Sequence, residues 1–297
     1  MDLPGFFIDM LNKQYNEETV KKIINGLGLS RATTLRVNSL KSSFDKVQKA
    51  LLDANISFKN VPFYNDALIL ENDENIQNLD IFKNGEIYLQ SLSSMLPALI
   101  LEPQENTDIL DMAAAPGGKT TQLAALTHNS SNITACELNS IRAERLKFNI
   151  EKQGATCVYV MVSDSRKIDD FFSFDSILLD SPCSGSGTLV IGDENYKKYF
   201  TEKLIKKSVS AQLSLIQKAS KILKTGHEMV YSTCSILECE NEKIVNSILK
   251  NNKFEIVPIN FEGMEFIPTL PTKIPGTLCV CPNELFEGFF VAKIRKK

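Results

Sequence analysis

From Asp108 onward the chain repeats one pattern: a short apolar run, a turn, and a stretch with helical spacing of apolar residues. Ile109 to Met112 leads through a glycine-containing turn to a helix from Lys119 to Leu126, and Ile133 to Cys136 leads to a helix from Ser140 to Gln153. Cys157 to Val162 and Ser176 to Leu179 are β-prone, a long helix spans Glu202 to Leu223, and Met229 to Ser232 forms the fifth strand. Alternation of this kind is satisfied by a mostly parallel sheet with helices on both faces, a doubly wound α/β fold of Rossmann-like type. The apolar ending Gly288 to Ala292 allows one late antiparallel strand. In such sheets ligands bind outside the carboxyl ends of the strands, so the residues that follow each apolar run carry the functional reading.

The first part of the chain has a different rhythm. A helix is expected from Thr19 to Leu29, a strand from Thr33 to Val37, a helix from Phe44 to Leu52 and a strand from Ala67 to Leu70. This is a small N-terminal α+β domain, placed at residues 1–84, with the catalytic domain at 85–297 opening on a heavily buried helix around Met95 to Ile100. Charged residues make up 23% and the net charge is -3, so bulk charge does not grip a polyanion and any nucleic-acid partner must meet a local basic patch. The start, Met1 to Gly5, lacks a basic leader, and no stretch approaches the roughly 20 apolar residues of a membrane span. Seven cysteines without regular spacing suit a reducing compartment, so a cytoplasmic protein without a membrane partner is expected, with a monomer favoured.

Three strand ends stand out. Ala115-Pro116-Gly117-Gly118-Lys119 ends one strand and opens a helix, where glycine admits a ligand to the backbone and the helix offers free N–H groups. It matches neither G-x-G-x-x-G nor G-x-x-x-x-G-K, which disfavours ATP hydrolysis. Glu137 after the second strand suits a ribose diol, and Asp164 after the third suits an adenine amino group; with the turn they describe an adenosine-containing cofactor.

Asp180-Ser181-Pro182-Cys183-Ser184-Gly185 and Ser232-Thr233-Cys234-Ser235 each place a cysteine at a strand end, where a thiol can become a nucleophile. His128 and His227 are the only histidines, and neither sits where a Cys-His hydrolase needs its base. Cys279 and Cys281 lack the second ligand pair of a zinc site, so no metal is expected; Cys136, Cys157 and Cys239 read as structural.

Together these motifs resemble the Sun family of S-adenosylmethionine-dependent RNA cytosine-5 methyltransferases. Asp111 to Thr120 matches the family's cofactor turn, Asp180 to Gly185 its Asp-x-Pro-Cys motif, and Tyr231 to Ser235, followed by Glu240-Asn241-Glu242, its Ser-Thr-Cys motif. Leu35 to Asn38, Gln90 to Ser94 and Gly288 to Lys296 are weaker matches. The resemblance implies that Cys234 attacks carbon 6 of cytosine, that Asp180 holds or protonates ring nitrogen 3, and that Cys183 assists product release. It implies S-adenosyl-L-methionine held by Ala113, Ala114, Ala115, Pro116, Gly117, Gly118, Lys119, Glu137, Arg142, Asp164 and Asp180, with ribosomal or transfer RNA as substrate.

Departures from the family pattern fall at Val190-Ile191-Gly192-Asp193, at Lys224-Thr225-Gly226-His227, and at Cys279 and Asn283. The alternatives are an RNA-binding ribosome-assembly factor that keeps the fold, and a DNA cytosine-5 methyltransferase, in which Cys183 would be the nucleophile. An RNA path between the domains would use Arg31, Arg36 and Lys41 on one wall and Lys197, Lys198, Lys203, Lys206 and Lys207 on the other.

Overall fold

The computed structural model describes residues 3–72, 75–192, 198–250 and 252–297, so the sequence readings at Met1, Asp2, Asp193 and Lys197 lie outside the described residues. Two helices open it, α1 (Gly5–Gln14) and α2 (Glu17–Leu27), the second capped by Asn16, whose side chain accepts the Thr19 N–H at 2.9 Å.

A four-stranded antiparallel sheet follows, formed by β1 (Thr34–Val37), β2 (Phe58–Asn60), β3 (Ala67–Leu70) and β4 (Ile87–Leu89) in the order β2-β3-β1-β4. Helices α3 (Phe44–Asp53) and α4 (Asp80–Lys83) lie in the connections. Successive side chains of a strand point to opposite faces. In β1, Leu35 and Val37 pack with Val47 and Leu51 of α3, while Arg36 faces the other way, towards the second domain.

The larger sheet is built from β5 (Asp108–Asp111), β6 (Asn132–Glu137), β7 (Val158–Val162), β8 (Phe174–Asp180), β9 (Leu223–Thr233), β10 (Phe254–Val257), β11 (Thr269–Leu270), β12 (Leu278–Val280) and β13 (Phe289–Lys296). Helices α5 (Leu92–Leu101), α6 (Gly118–Leu126), α7 (Ser140–Gln153), α8 (Glu202–Ile222) and α9 (Glu242–Leu249) complete it. Strands β9-β8-β5-β6-β7 are parallel, with β5 flanked by β6 on one side and β8 on the other. The chain therefore reverses direction across the sheet at β5, and the crevice opens outside its carboxyl end.

The late antiparallel part is larger than the single strand expected. Phe289 to Ile294 of β13 are all buried, so both edges of that strand need partners; β9 supplies one edge, and β12 and β10 share the other. Helix α9 begins at Glu242, after a turn in which the Glu240 side chain faces inward and binds two neighbouring loops.

We keep 1–84 and 85–297 as a proposed division of the chain, with two exchanges across it. Strand β4 pairs with β1 and so completes the small sheet, whereas Phe7, Leu11, Ile23 and Leu27 of α1 and α2 share a core with Phe200, Ile205 and Ile236 of the larger domain. Among the described residues no helix is long and apolar enough to cross a membrane.

Candidate active site

The turn after β5 is held from behind by α7. Arg142 donates from Nη2 to the Ala115 carbonyl at 2.7 Å, and Asn149 donates to the Pro116 carbonyl at 2.7 Å. Gly117 has φ +109°, and a Cβ there would come within 3.0 Å of Leu146 Cδ1. Glycine is thus required by the turn's own conformation and its contact with α7.

Two cavities meet at Ala113. The first, about 380 Å³, is lined by Met112, Glu137, Asp164, Pro182, Lys207 and Leu215 among others. Glu137 is buried at the end of β6, where it accepts the Asn139 N–H at 2.9 Å and stands 3.6 Å from Arg142 Nη1. Asp164 accepts from Arg166 Nε at 2.8 Å and Nη2 at 2.7 Å, and these bonds hold its carboxyl below the usual carboxylate range. Acids beside apolar walls suit a ribose diol and an adenine ring, so the residues present fit the nucleoside of S-adenosylmethionine.

The second cavity, about 400 Å³, contains Asp111, Ala114, Ala115, Pro116, Gly118, Lys119, Asp180 and Cys234. Tyr88 of β4 and Gln90 just after it, Ser94 from α5, and Glu287 and Phe289 complete its wall. Lys119 Nζ lies 2.7 Å from Asp180 Oδ2, donates to Ser94 Oγ at 2.7 Å, and stands 5.5 Å from the centre of the Phe289 ring. Burial alone would pull the Lys119 ammonium down; the facing Asp180 carboxylate more than offsets this and raises its pKa. Ser232 Oγ donates to Asp180 Oδ1 at 2.8 Å. Burial pushes Asp111 up to about 6, opposed by the hydroxyl of Thr120 at 2.7 Å.

Cys183 Sγ and Cys234 Sγ are 3.2 Å apart. Cys234 borders the second cavity, while the hydrogen bond with Cys234 and then burial push the Cys183 thiol well above its ordinary pKa. The loops that carry them are pinned together. Ser181 N donates to Ser232 O at 2.8 Å, Gly187 N to Cys234 O at 3.0 Å and Gly288 N to Gly187 O at 2.9 Å. A Cβ on Gly187 would fall 2.0 Å from Gly288 O, so only glycine permits this crossing.

The sequence candidates therefore separate. Glu137, Arg142 and Asp164 border the first cavity; Lys119 and Asp180 stand with Cys234 in the second. Sequence reasoning missed Tyr88; Gln90, Ser94, Ser232, Phe289 and the buried Glu240 were quoted only as parts of matching motifs.

His227 sits 3.6 Å from Asp175, and both flank the end of the sheet away from the cysteines. Burial pushes Cys136, inside the core, up to about 12 and the half-buried Cys239 up to about 11. Among the described residues no group of three or more His, Cys, Asp or Glu side chains has a metal-holding arrangement.

The expected RNA path needs correction at Arg36, which is fully buried. Its guanidinium donates to Gln90 Oε1 at 3.2 Å and to Thr121 Oγ1 at 3.0 Å, joining the small sheet to α6. Lys41 Nζ donates to the carbonyls of Asn84 at 2.9 Å and Lys152 at 2.8 Å, and Lys207 lines the first cavity. Lys198, Lys203 and Lys206 are exposed.

A family model described as "16S rRNA methyltransferase RsmB/F" matches residues 98–295, and a ferredoxin-like domain model of the same group matches residues 3–77. A ribosomal RNA small subunit methyltransferase F of Vibrio vulnificus is 36% identical, covering 89% of this chain and 57% of the relative. This chain thus spans a little over half the length of that curated relative. A solved methyltransferase homologue from Pyrococcus horikoshii is 31% identical with a TM-score of 0.85, covering 99% of this chain and 100% of that one. NSun6 from Pyrococcus horikoshii, solved with SFG, has the same fold at a TM-score of 0.88 and 24% identity, covering 99% of this chain and 98% of its own. With both halves matched in order, the chain belongs to the RsmB/F methyltransferase family, a doubly wound methyltransferase sheet preceded by a ferredoxin-like domain.

Proposed function

We propose that this protein transfers a methyl group from S-adenosylmethionine to carbon 5 of cytidine in RNA, through a covalent adduct on Cys234. The observation that carries the reading is the pair of sulfurs 3.2 Å apart, one of them bordering the cavity that also holds Asp180 and Lys119. When bound, S-adenosylmethionine supplies an electrophilic methyl group on a sulfonium. Carbon 5 of cytosine is too electron-poor to take it unaided, and addition of a thiolate at carbon 6 converts carbon 5 into an enamine carbon.

In this reading Cys234 supplies the thiolate. As it adds, negative charge moves onto the N3 and O2 edge of the ring. The Lys119–Asp180 pair offers a positive charge and a proton to that edge, at a site where dipoles and charges are already fixed. Ser232 and Ser94 hold the pair in place through one hydrogen bond each. Glu137 and Arg142 would hold the nucleoside end of the cofactor in the first cavity, which adjoins the second at Ala113. Cys183 stands behind the nucleophile and assists release of the methylated base.

A DNA-type mechanism would make Cys183 the nucleophile. Its place outside the second cavity, which Cys234 borders, favours Cys234 instead. A ribosome-assembly factor without catalysis would not need a half-buried ammonium–carboxylate pair beside two thiols. The curated relative acts on small-subunit ribosomal RNA, and we infer the same substrate class here.

Bisulfite sequencing of total RNA from cells with and without the gene tests this. The expected result is a cytidine in small-subunit ribosomal RNA that resists conversion only when the gene is present. A difference confined to transfer RNA would move the substrate, and no difference in any RNA would overturn the reading.

A further inference from the structure

A carboxylate lies buried between the two cysteine loops and outside both cavities. Glu240 is fully buried in the turn that precedes α9. Its Oε1 accepts the Ser184 backbone N–H at 2.8 Å and Gln212 Nε2 at 3.3 Å. Its Oε2 accepts the hydroxyls of Ser184 at 2.5 Å and Ser235 at 2.6 Å. Ser184 directly follows Cys183, and Ser235 directly follows Cys234. The Glu240 main-chain carbonyl accepts the Tyr231 hydroxyl at 2.6 Å, which fixes the turn against β9.

Burying a carboxylate is costly unless its lone pairs are met, and here four donors meet them. An apolar side chain of similar size would fill the space yet leave the Ser184 N–H and two hydroxyls without their partner. One rigid group therefore spans the two residues that set where the sulfurs stand. Its negative charge also adds to the forces that keep Cys183 a thiol, behind the mutual hydrogen bond of the sulfurs, burial and the charge on Cys234.

We propose that Glu240 is a positioning residue that holds the Cys183 thiol against Cys234 so that the covalent RNA adduct is released; this rests on the function proposed above. In the release step the carbon 5 proton passes to solvent and its electron pair re-forms the C5=C6 bond. The bond from C6 to Cys234 Sγ breaks, and the sulfur leaves with the bonding pair as a thiolate. A thiol 3.2 Å from that sulfur donates a hydrogen bond to the emerging charge. Glu240 touches neither the base nor the reacting sulfurs; it acts by fixing the residue beside each.

Two measurements on wild type, Glu240→Ala and Ser184→Ala test this. The first needs no RNA: equilibrate each protein in a glutathione redox buffer and read the Cys183–Cys234 disulfide by mass. If Glu240 sets the sulfur separation, the effective concentration of the pair falls by about 10-fold in Glu240→Ala and by less in Ser184→Ala. Unchanged values in both overturn the positioning role, whatever the protein does to RNA.

The second uses an RNA that the wild type methylates. Turnover should drop by roughly 10- to 100-fold in Glu240→Ala, the range of a lost hydrogen bond to a charged group, while a covalent protein–RNA band accumulates on a denaturing gel. Loss of turnover without a band marks a merely structural role and overturns the proposal. Should Glu240→Ala fail to fold, Ser184→Ala, which removes only one hydroxyl bond, must show the same band and a smaller slowing. A wild type that methylates no RNA overturns the functional reading and the release step with it, while the exchange measurement still decides the positioning.

Discussion

The two cavities that meet at Ala113 are built from different kinds of chain. The one containing Glu137 and Asp164 is formed almost wholly by consecutive strand-turn-helix units, each contributing the residues just past its strand. The one containing Cys234 draws on six separated places: the glycine turn, each of the two cysteine loops or their strands, α5, the small N-terminal sheet, and the segment entering β13. A cavity made of local repeats is specified by local sequence; a cavity made of distant pieces depends on how those pieces are held. Ser184, Ser235 and Glu240 do this for the cysteine loops, and Arg36 does it for the small sheet.

Two variants, each touching one cavity, separate their roles. Cys234→Ala should lower methyl transfer by about 1000-fold or more, because no enamine forms, with cofactor affinity unchanged. Glu137→Ala should do the converse at binding, weakening the cofactor by roughly 1 to 3 kcal/mol through lost hydrogen bonds to the ribose. Calorimetry and a methyl-transfer assay on both proteins separate the two effects. Retained turnover in Cys234→Ala together with loss in Cys183→Ala would reverse the assignment of the nucleophile.

This contrast also explains what could be read from the sequence. Strand ends after β5, β6, β7 and β8 were legible because apolar runs mark them, and Glu137 and Asp164, which follow β6 and β7, line the first cavity, whereas Asp180 after β8 lines the second. Strand β4 has only three residues, Ile87–Leu89, too few for a period to emerge, so Tyr88 was not foreseen on the wall of the second cavity. Lys119 was assigned to the cofactor because it directly follows the turn. Its four-carbon stem carries the ammonium across to Asp180, a direction that no spacing rule gives.

Arg36 was misread for a related reason. A charged residue in a short strand looks like a surface residue unless both faces of the sheet are known to be covered. Thr34, Leu35, Arg36 and Val37 are all buried, because α3 covers one face and the second domain the other.

Arg36→Ala sharpens that point. The substitution opens a cavity and leaves Gln90 Oε1 and Thr121 without the guanidinium, so a stability loss of about 2 to 4 kcal/mol is expected in denaturant titration. Arg36→Met keeps most of the volume and should lose less. Both should impair methyl transfer more than cofactor affinity, since Gln90 lines the second cavity and not the first. A variant at full stability would mean that the guanidinium's uncompensated burial already offsets its hydrogen bonds; burial does pull its pKa below the usual arginine value.

The smallest expected effects concern the lysines of α8, and they divide along the same line. Lys207 lines the first cavity, whereas Lys206 borders a different, apolar groove with Met10 and Cys239. Lys203 precedes Lys207 by one helical turn and is exposed, which puts it on the same side of the helix, nearer its start. If RNA reaches the second cavity by passing the end of α8, Lys203→Ala should reduce the salt slope of binding by roughly 0.7, the value of one contact to a single-stranded phosphate. Lys206→Ala should leave the slope unchanged, and Lys207→Ala should alter cofactor affinity with no change in slope. Binding measured across salt concentrations for the three single variants checks all three expectations. A slope change confined to Lys206→Ala would instead carry the RNA across the groove between α1 and α8, away from the junction where the two cavities meet.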